Sequence, residues 1–340
     1  MKFAKLGVNG PTVSKIGVGC MGMVELYGKP QPKEVVIKTI QTAYYEHQIN
    51  FFDTADMYGK GLSEQVLGEA VASFRNEVVI ATKCGLFRTD SVVGQGLATD
   101  TINTPEYIYQ ACDLSLKNLG MEYIDVYYLH RHDLKTPIET VMGAMSNLIN
   151  AGKIHYVGLS EVCPETIRRA HAVLGDKLVA VQSEYSFMNR GAANAVLPVC
   201  RELGISFVPY SPFARGLLTG GYRNPSFFGS GGYFDIKALL PQYKSGNIEK
   251  NLELVDEIGR IAAKKQATPA QYALAWLLSQ SDIFPIPGTS SIQHLKENVK
   301  AVEIELSPEE ISDLEFAYNT HPIQGPRLPE ELLVAEQLAP

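Results

Sequence analysis

Short runs of β-branched and aliphatic residues recur along the chain at 15–19, 49–52, 78–82, 124–129, 154–159, 178–182, 206–209 and 283–286. Between them lie longer stretches whose apolar positions repeat every three or four residues. A run that is apolar throughout predicts a strand buried on both faces. Such strands alternating with amphipathic helices predict a parallel sheet covered by helices. Eight of them predict an α/β fold of the (β/α)₈ TIM-barrel type. The helices expected between them cover 31–45, 62–74, 104–119, 137–151, 164–174 and 192–203. Pro32 lies near the first turn of one, Ser63 suits the N-cap of another, and Gly120 is a stop signal after a third.

Three departures from this rhythm shape the rest. Residues 3–6 and 12–14 flank Gly7-Val8-Asn9-Gly10, which predicts an N-terminal β-hairpin able to cap the bottom of the barrel. The loops 23–28, 87–103 and 227–243 are expected to wall a pocket together with the tail, and 227–243 lies within a longer irregular stretch, 219–247. The last is rich in Gly, Ser, Pro and aromatics (Tyr222, Phe227, Phe228, Tyr233, Phe234), and a loop of that length inside a compact fold is usually functional. The tail 321–340 is Pro-rich and then acidic and apolar, and is expected to pack back over the barrel. No break in composition divides the chain, so 1–340 is expected to form one domain.

A formal net charge of −7 and a sequence pI near 5.6 argue against nucleic acid or an anionic membrane as the main partner, while leaving room for a local phosphate pocket. The five cysteines are odd in number and show no CxxC spacing, which argues against a disulfide framework or structural zinc. No apolar leader opens the chain, and no stretch approaches the roughly 18 apolar residues of a membrane span. A reducing, cytoplasmic setting is the expectation.

Barrel chemistry gathers where the strands end. The strand ends here carry Asp53 and Tyr58, Lys83, His130, Ser160 and Glu161, Gln182, and Tyr210 with Ser211. Reducing a carbonyl needs a hydride and a proton. A phenol with a pKa near 10 is a slow acid at neutral pH. A nearby ammonium stabilises its phenolate, a carboxylate keeps the ammonium charged and aimed, and a neutral imidazole can donate to the carbonyl oxygen.

The segments FFDTADMYG (51–59), TKCG (82–85), YYLH (127–130), GLSE (158–161), QSEYS (182–186), YSPFARGLLTG (210–220) and PIPGTSSIQHLKENV (285–299) resemble, in order and over nearly the whole chain, the aldo-keto reductase superfamily. GCMGM and HRHD resemble its bacterial, plant and fungal branch, some members of which reduce aldehydes generally or pyridoxal. The resemblance implies an NADP(H)-dependent oxidoreductase acting on a small-molecule carbonyl. Tyr58 would be the general acid, Lys83 would lower its pKa, Asp53 would pair with Lys83, and His130 would orient the carbonyl. It also implies that Gly19, Cys20 and Met21 line the nicotinamide side, Ser160 and Gln182 bind the carboxamide, and Tyr210 stacks on the ring. Ser211, Phe213, Arg215 and Leu217 would wrap the pyrophosphate with Lys237 above it. Gly288, Thr289, Ser290, His294, Glu297 and Asn298 would hold the adenosine and its 2′-phosphate. Many relatives carry Arg or Lys where Ser290, Ser291 and His294 stand here; less charge moderates the preference and keeps NAD(H) open. Glu161 stands where an Asn is common, and its role stays open, as do the physiological substrate and the oligomeric state.

Other readings compete. Gly17-x-Gly19-x-x-Gly22 matches a Rossmann fingerprint, but no helix is expected directly after it. His130 and His132 form an HxH that a metal-dependent barrel hydrolase could use; no second ligand set stands at other strand ends, and no metal is expected. A nucleotide-binding, redox-sensing subunit with little turnover would share the fold. Cys20 and Cys84 read as buried thiols, and Trp276 as part of a core helix.

Overall fold

The computed structural model describes residues 1–93, 96–223 and 233–329; Gly94, Phe227, Phe228 and the tail beyond 329 lie outside the described residues. The chain opens with an antiparallel hairpin, β1 (Phe3–Lys5) and β2 (Thr12–Ser14). Then come β3 (Val18–Gly19), β4 (Phe51–Asp53) and β5 (Val79–Cys84). A second hairpin, β6 (Leu86–Val93) and β7 (Gly96–Thr101), follows. The series ends with β8 (Ile124–Leu129), β9 (Ile154–Ser160), β10 (Leu178–Glu184) and β11 (Ser206–Tyr210).

Seven of these strands form one parallel sheet in the order β11-β10-β9-β8-β5-β4-β3. The eighth predicted strand is not a regular one. Residues 282–288 close the barrel as an extended segment whose ladder shrinks to bridges at Phe207–Ile283 and Gly19–Gly288. Pro285 and Pro287 have no N–H to give, but their carbonyls accept from Gly17 (2.9 Å) and Gly19 (3.3 Å), while the Phe284 and Ile286 amides donate to Phe207 and Pro209 on the other side. The (β/α)₈ barrel is therefore present, with one stave held by alternate hydrogen bonds.

The two-residue pleat of each strand explains where the polar groups fall. Phe51, Val79, Ala81, Val126, Tyr128, Ala180, Val208, Phe284 and Ile286 fill the barrel's interior. Leu6 and Val13 of the N-terminal hairpin join them, fully buried, and the Gly7 and Val8 amides bond Ser206 Oγ and the Gly204 carbonyl at the foot of β11. The hairpin thus plugs the N-terminal end. Continuing the inward-facing positions toward the other end leads from Phe51 to Asp53, from Ala81 to Lys83, from Tyr128 to His130 and from Ala180 to Gln182. The outward-facing residues pack against helices in a separate, larger core.

The helices at 105–119, 138–150, 164–174 and 191–203 match the sequence pattern, and Trp276 lies in the core helix Pro269–Leu278 with its Nε1 donating to Glu315. The first long helix starts at Lys33, directly after Pro32. Ser63 is not the N-cap of its helix: Gly61, at φ 88°, begins the turn, and buried Ser63 instead accepts from Thr54 Oγ1 at 2.8 Å. The helices Asn247–Ala262, Ile292–Lys300 and Pro308–Thr320 were not among those predicted.

One interior glycine tests the packing. A Cβ on Gly158 would lie 2.2 Å from the Tyr128 ring, which is fully buried one layer beneath His130. Gly158→Ala should therefore lower stability by about 1–3 kcal/mol through overpacking, read as a drop in melting temperature with the parent's circular dichroism retained; an unchanged melting temperature would contradict this packing.

Candidate active site

The inward parity of β4, β5 and β8 brings Asp53, Lys83 and His130 together at the C-terminal mouth, and the turn after β4 adds Tyr58, the fourth residue expected there. Lys83 Nζ donates to Asp53 Oδ1 at 2.5 Å, to the Thr54 carbonyl at 2.7 Å and to Tyr58 Oη at 3.4 Å. Lys83 is wholly buried, Asp53 nearly so, and Tyr58 is 8% exposed. Burial opposes the Lys83 ammonium, but Asp53 and then Tyr58 outweigh it and hold its pKa above the usual lysine range. Burial raises the Tyr58 phenol, and the Lys83 charge is the main influence pulling it back. So the ammonium acts in the expected direction, while the net position of the phenol in the free protein is up.

His130 stands edge-on to Tyr58, ring centroids 5.9 Å apart. Burial, with the Lys83 and Arg131 charges adding to it, pushes its pKa well below the usual histidine value, so it is neutral at neutral pH. Its Nδ1 is buried with no hydrogen-bond partner among the described residues. Cys20, whose amide bonds the Asp53 carbonyl, is buried and its thiol is pushed up to about 12 by burial and Asp53; Cys84 is raised as well by burial. Neither is a reactive thiolate.

Two residues expected at the carboxamide are engaged otherwise. Gln182 Nε2 donates to Asp53 Oδ2 at 2.8 Å, and Ser160 Oγ accepts from Arg131 at 3.0 Å. Gln182 thus fixes the carboxylate that fixes Lys83. Met21 opens a four-residue helix after Gly19, not the long helix of a Rossmann unit. Gly19 serves closure: a Cβ there would meet the Ile286 carbonyl at 2.8 Å. The HxH pair is divided, since His132 bonds the Thr136 carbonyl within its own loop at 2.8 Å while His130 lies beside Tyr58. Among the described residues no cluster of three or more His, Cys, Asp or Glu could hold a metal ion.

After Tyr210 the chain turns sharply. Ser211, Ala214 and Arg215 have φ of 49°, 48° and 56°, followed by Gly216 at 106°. These left-handed residues make a tight turn whose Ala214 and Gly216 amides bond the Ser211 and Phe213 carbonyls, both at 2.9 Å. Tyr243 Oη donates to the Arg215 carbonyl at 3.1 Å and steadies this turn, and Leu217 is buried in the core beneath it. Two cations share Tyr27 there: Arg215 donates to its hydroxyl at 3.4 Å, and Lys237 Nζ sits 4.8 Å over its ring. Lys237 is also paired with Asp235 at 2.9 Å. Gly28 and Ile236 tie the loops 25–28 and 234–236 together through backbone bonds to Phe234 and Leu26.

On the closing segment, Gly288, Thr289 and Ser290 lead into the nine-residue helix Ile292–Lys300, whose N-cap Ser291 accepts from the His294 amide at 3.3 Å. His294 is exposed, Glu297 half-buried and Asn298 buried along it. A helix N-terminus with hydroxyls and an imidazole around it suits a phosphate.

Arg131, Glu184, Arg327 and Tyr27 form part of this mouth without having been singled out. Glu161, whose φ is 54°, accepts from the Glu184 amide at 2.7 Å and from Arg327 at 3.0 Å. Burial alone would raise its carboxyl; Arg131 and Arg327 overcome that and hold it below the usual glutamate range. A cavity of about 280 Å³ behind Glu184 and Arg327, bounded by Met188, Asn189, Gln242 and Tyr318, is lined by none of Asp53, Tyr58, Lys83 and His130.

A closed parallel barrel whose mouth carries a buried Asp–Lys–Tyr array beside a neutral histidine defines a barrel enzyme suited to proton transfer. The aldo-keto reductase family model matches residues 15–319. The chain is 40% identical over 333 residues to a probable aldo-keto reductase 1 from Glycine max, covering 95% of this chain and 90% of that one. It is similar to the structure of a glycerol dehydrogenase from Gluconobacter oxydans (TM-score 0.82, 26% identity, 95% and 97% of the two chains). It is also similar to the thermostable aldo-keto reductase Tm1743, solved with the inhibitor epalrestat (TM-score 0.72, 25% identity, 93% and 100%). The chain belongs to the aldo-keto reductase family and is an oxidoreductase of that type. Members of the family generally use nicotinamide cofactors and act on small carbonyl compounds. Among the described residues no helix is long and apolar enough to cross a membrane.

Proposed function

We propose that this chain, as one barrel domain over 1–340, reduces aldehydes or ketones to alcohols with NADP(H) in the cytoplasm. The carrying observation is the buried contact of Lys83 Nζ with both Asp53 (2.5 Å) and Tyr58 (3.4 Å). The bound cofactor would supply the hydride. The residues suited to holding it are the left-handed turn at Ser211–Gly216, the cations Arg215 and Lys237, and the helix N-terminus after Ser290, with Gly19, Cys20, Met21 and Tyr210 lining the ring's side. Ser160 and Gln182, already bonded to Arg131 and Asp53, keep a hydroxyl donor and amide groups with which to meet a carboxamide.

Tyr58 keeps its proton at neutral pH and gives it to the carbonyl oxygen as negative charge develops there. Lys83 stabilises the phenolate left behind, Asp53 holds Lys83, and Gln182 holds Asp53. Neutral His130 donates to the same oxygen and sets its direction. Removal of water from these charges by the barrel wall strengthens each interaction.

A screen of aliphatic and aromatic aldehydes and of pyridoxal, following NADPH absorbance, tests the reading. Turnover on at least one class is expected. Tight NADPH binding with no turnover on any carbonyl would instead favour the redox-sensing subunit. NADPH should bind more tightly than NADH, by less than about tenfold, because Ser290, Ser291 and His294 supply hydrogen bonds but little fixed charge. Equal dissociation constants by fluorescence quenching would refute the 2′-phosphate assignment.

A further inference from the structure

The last described stretch of the chain is built into the mouth of the barrel. Asn251, 1% exposed, grips Gln324 from both sides, donating to its carbonyl at 3.0 Å and accepting from its amide at 2.8 Å. Gly325 turns at φ 82°, where a Cβ would meet the Asn247 side chain at 2.9 Å and the Pro241 backbone at 3.0 Å. Leu328 is buried in the helix-side core. Between these anchors Arg327 reaches inward, to Glu161 Oε2 at 3.0 Å and Glu184 Oε2 at 3.4 Å.

Glu161 and Glu184 are 1% and 2% exposed, and the two are joined by the Glu184 amide bonding Glu161 Oε1. The Glu184 oxygen that meets Arg327 also accepts from Arg215, at 3.3 Å. So two desolvated carboxylates stand beside the cation expected at the cofactor's phosphates, and one of them competes for it. Arg131 also offsets Glu161, but without Arg327 the two carboxylates would be left to Arg131 and Arg215 alone and would hold Arg215 to themselves. The left-handed backbone of Glu161, unusual for a residue with a side chain, aims its carboxylate at this junction.

We infer that Arg327 is a positioning residue for nucleotide binding: its guanidinium neutralises Glu161 and Glu184 and thereby leaves Arg215 available to the cofactor's phosphates. This rests on the nucleotide reading above and gives the unassigned Glu161 a role as the tail's counter-charge.

The test is the NADPH dissociation constant, measured by fluorescence quenching on the full chain. R327M should raise it about tenfold, the scale of one unscreened charge at such separations in a partly desolvated site. R327K, which keeps a cation, should recover most of the loss. The deciding variant is R327M/E161Q. Removing the carboxylate along with its partner restores charge balance and should return the constant to within about threefold of the parent. A tail that mattered only as a packed wall would remain unanchored in that variant, and binding would stay weak. E161Q alone keeps the arginine and should tighten binding; a raised constant there overturns the inference even if R327M does not fold. An R327M constant equal to the parent's, or no recovery in the double variant, also overturns it. A parent protein that binds neither NADPH nor NADH would instead fail the nucleotide reading itself.

Discussion

Tyr58→Phe is expected to lower kcat for carbonyl reduction by about 10²–10⁴-fold, the range that a positioned proton donor contributes. The dissociation constant for NADPH should change by less than about threefold. The substitution removes one oxygen that lies 3.4 Å from Lys83 Nζ and leaves a ring of the same shape against His130. Lys83 keeps its bonds to Asp53 and the Thr54 carbonyl, so no buried ammonium is left without partners and the fold should persist. The loss should appear in kcat and kcat/KM alike, because the proton is needed only as the oxygen becomes an alkoxide. Turnover at the parent rate would remove Tyr58 from the chemistry and leave His130 or water as the donor.

The legibility of this arrangement in the sequence has a physical origin. Each barrel strand is a short apolar run whose inward positions repeat every second residue. A polar residue two places beyond an apolar interior one is therefore carried to the mouth: Asp53 after Phe51, Lys83 after Ala81, His130 after Tyr128. The strand pattern and the site were one signal. What escaped it depended on contacts between distant parts of the chain. The Glu161–Arg327 pair spans 166 residues, and no local feature of IQGPRLP announces a half-buried arginine paired with two buried carboxylates. The hairpin β6–β7 lies within a stretch too polar and glycine-bearing to read as strands. The apolar run at 283–286 has the pattern of a regular strand, but the prolines within and beside it reduce the ladder to alternate bonds. Ser63 looked like a cap by type, but burial against Thr54 gave it another partner. Gln182 is the more instructive case. Its position at a strand end was visible, whereas its bond to Asp53 depends on strands β4 and β10 facing each other across the barrel interior.

Lys83→Met should lower kcat by about 10²-fold or more and also move the pH dependence, which a purely structural loss would not do. Burial already raises the Tyr58 phenol, and Lys83 is the chief opposing charge. Without it the phenol rises further. Carbonyl reduction uses the protonated phenol, so its rate in the parent should be flat through neutral pH and fall only at alkaline pH, and in the variant that fall should move to still higher pH. Alcohol oxidation uses the phenolate, so its rate should rise with pH in the parent, and in the variant the rise should be displaced to the alkaline side. Asp53 would lose its buried partner, a change that costs stability by itself. A Lys83→Met/Asp53→Asn variant removes that cost by taking away both charges and should recover the melting temperature without recovering the rate. If the pair of substitutions restored turnover, or if the oxidation profile of Lys83→Met superposed on the parent's, the ammonium would be a structural counter-ion and the phenol would owe its acidity to something else.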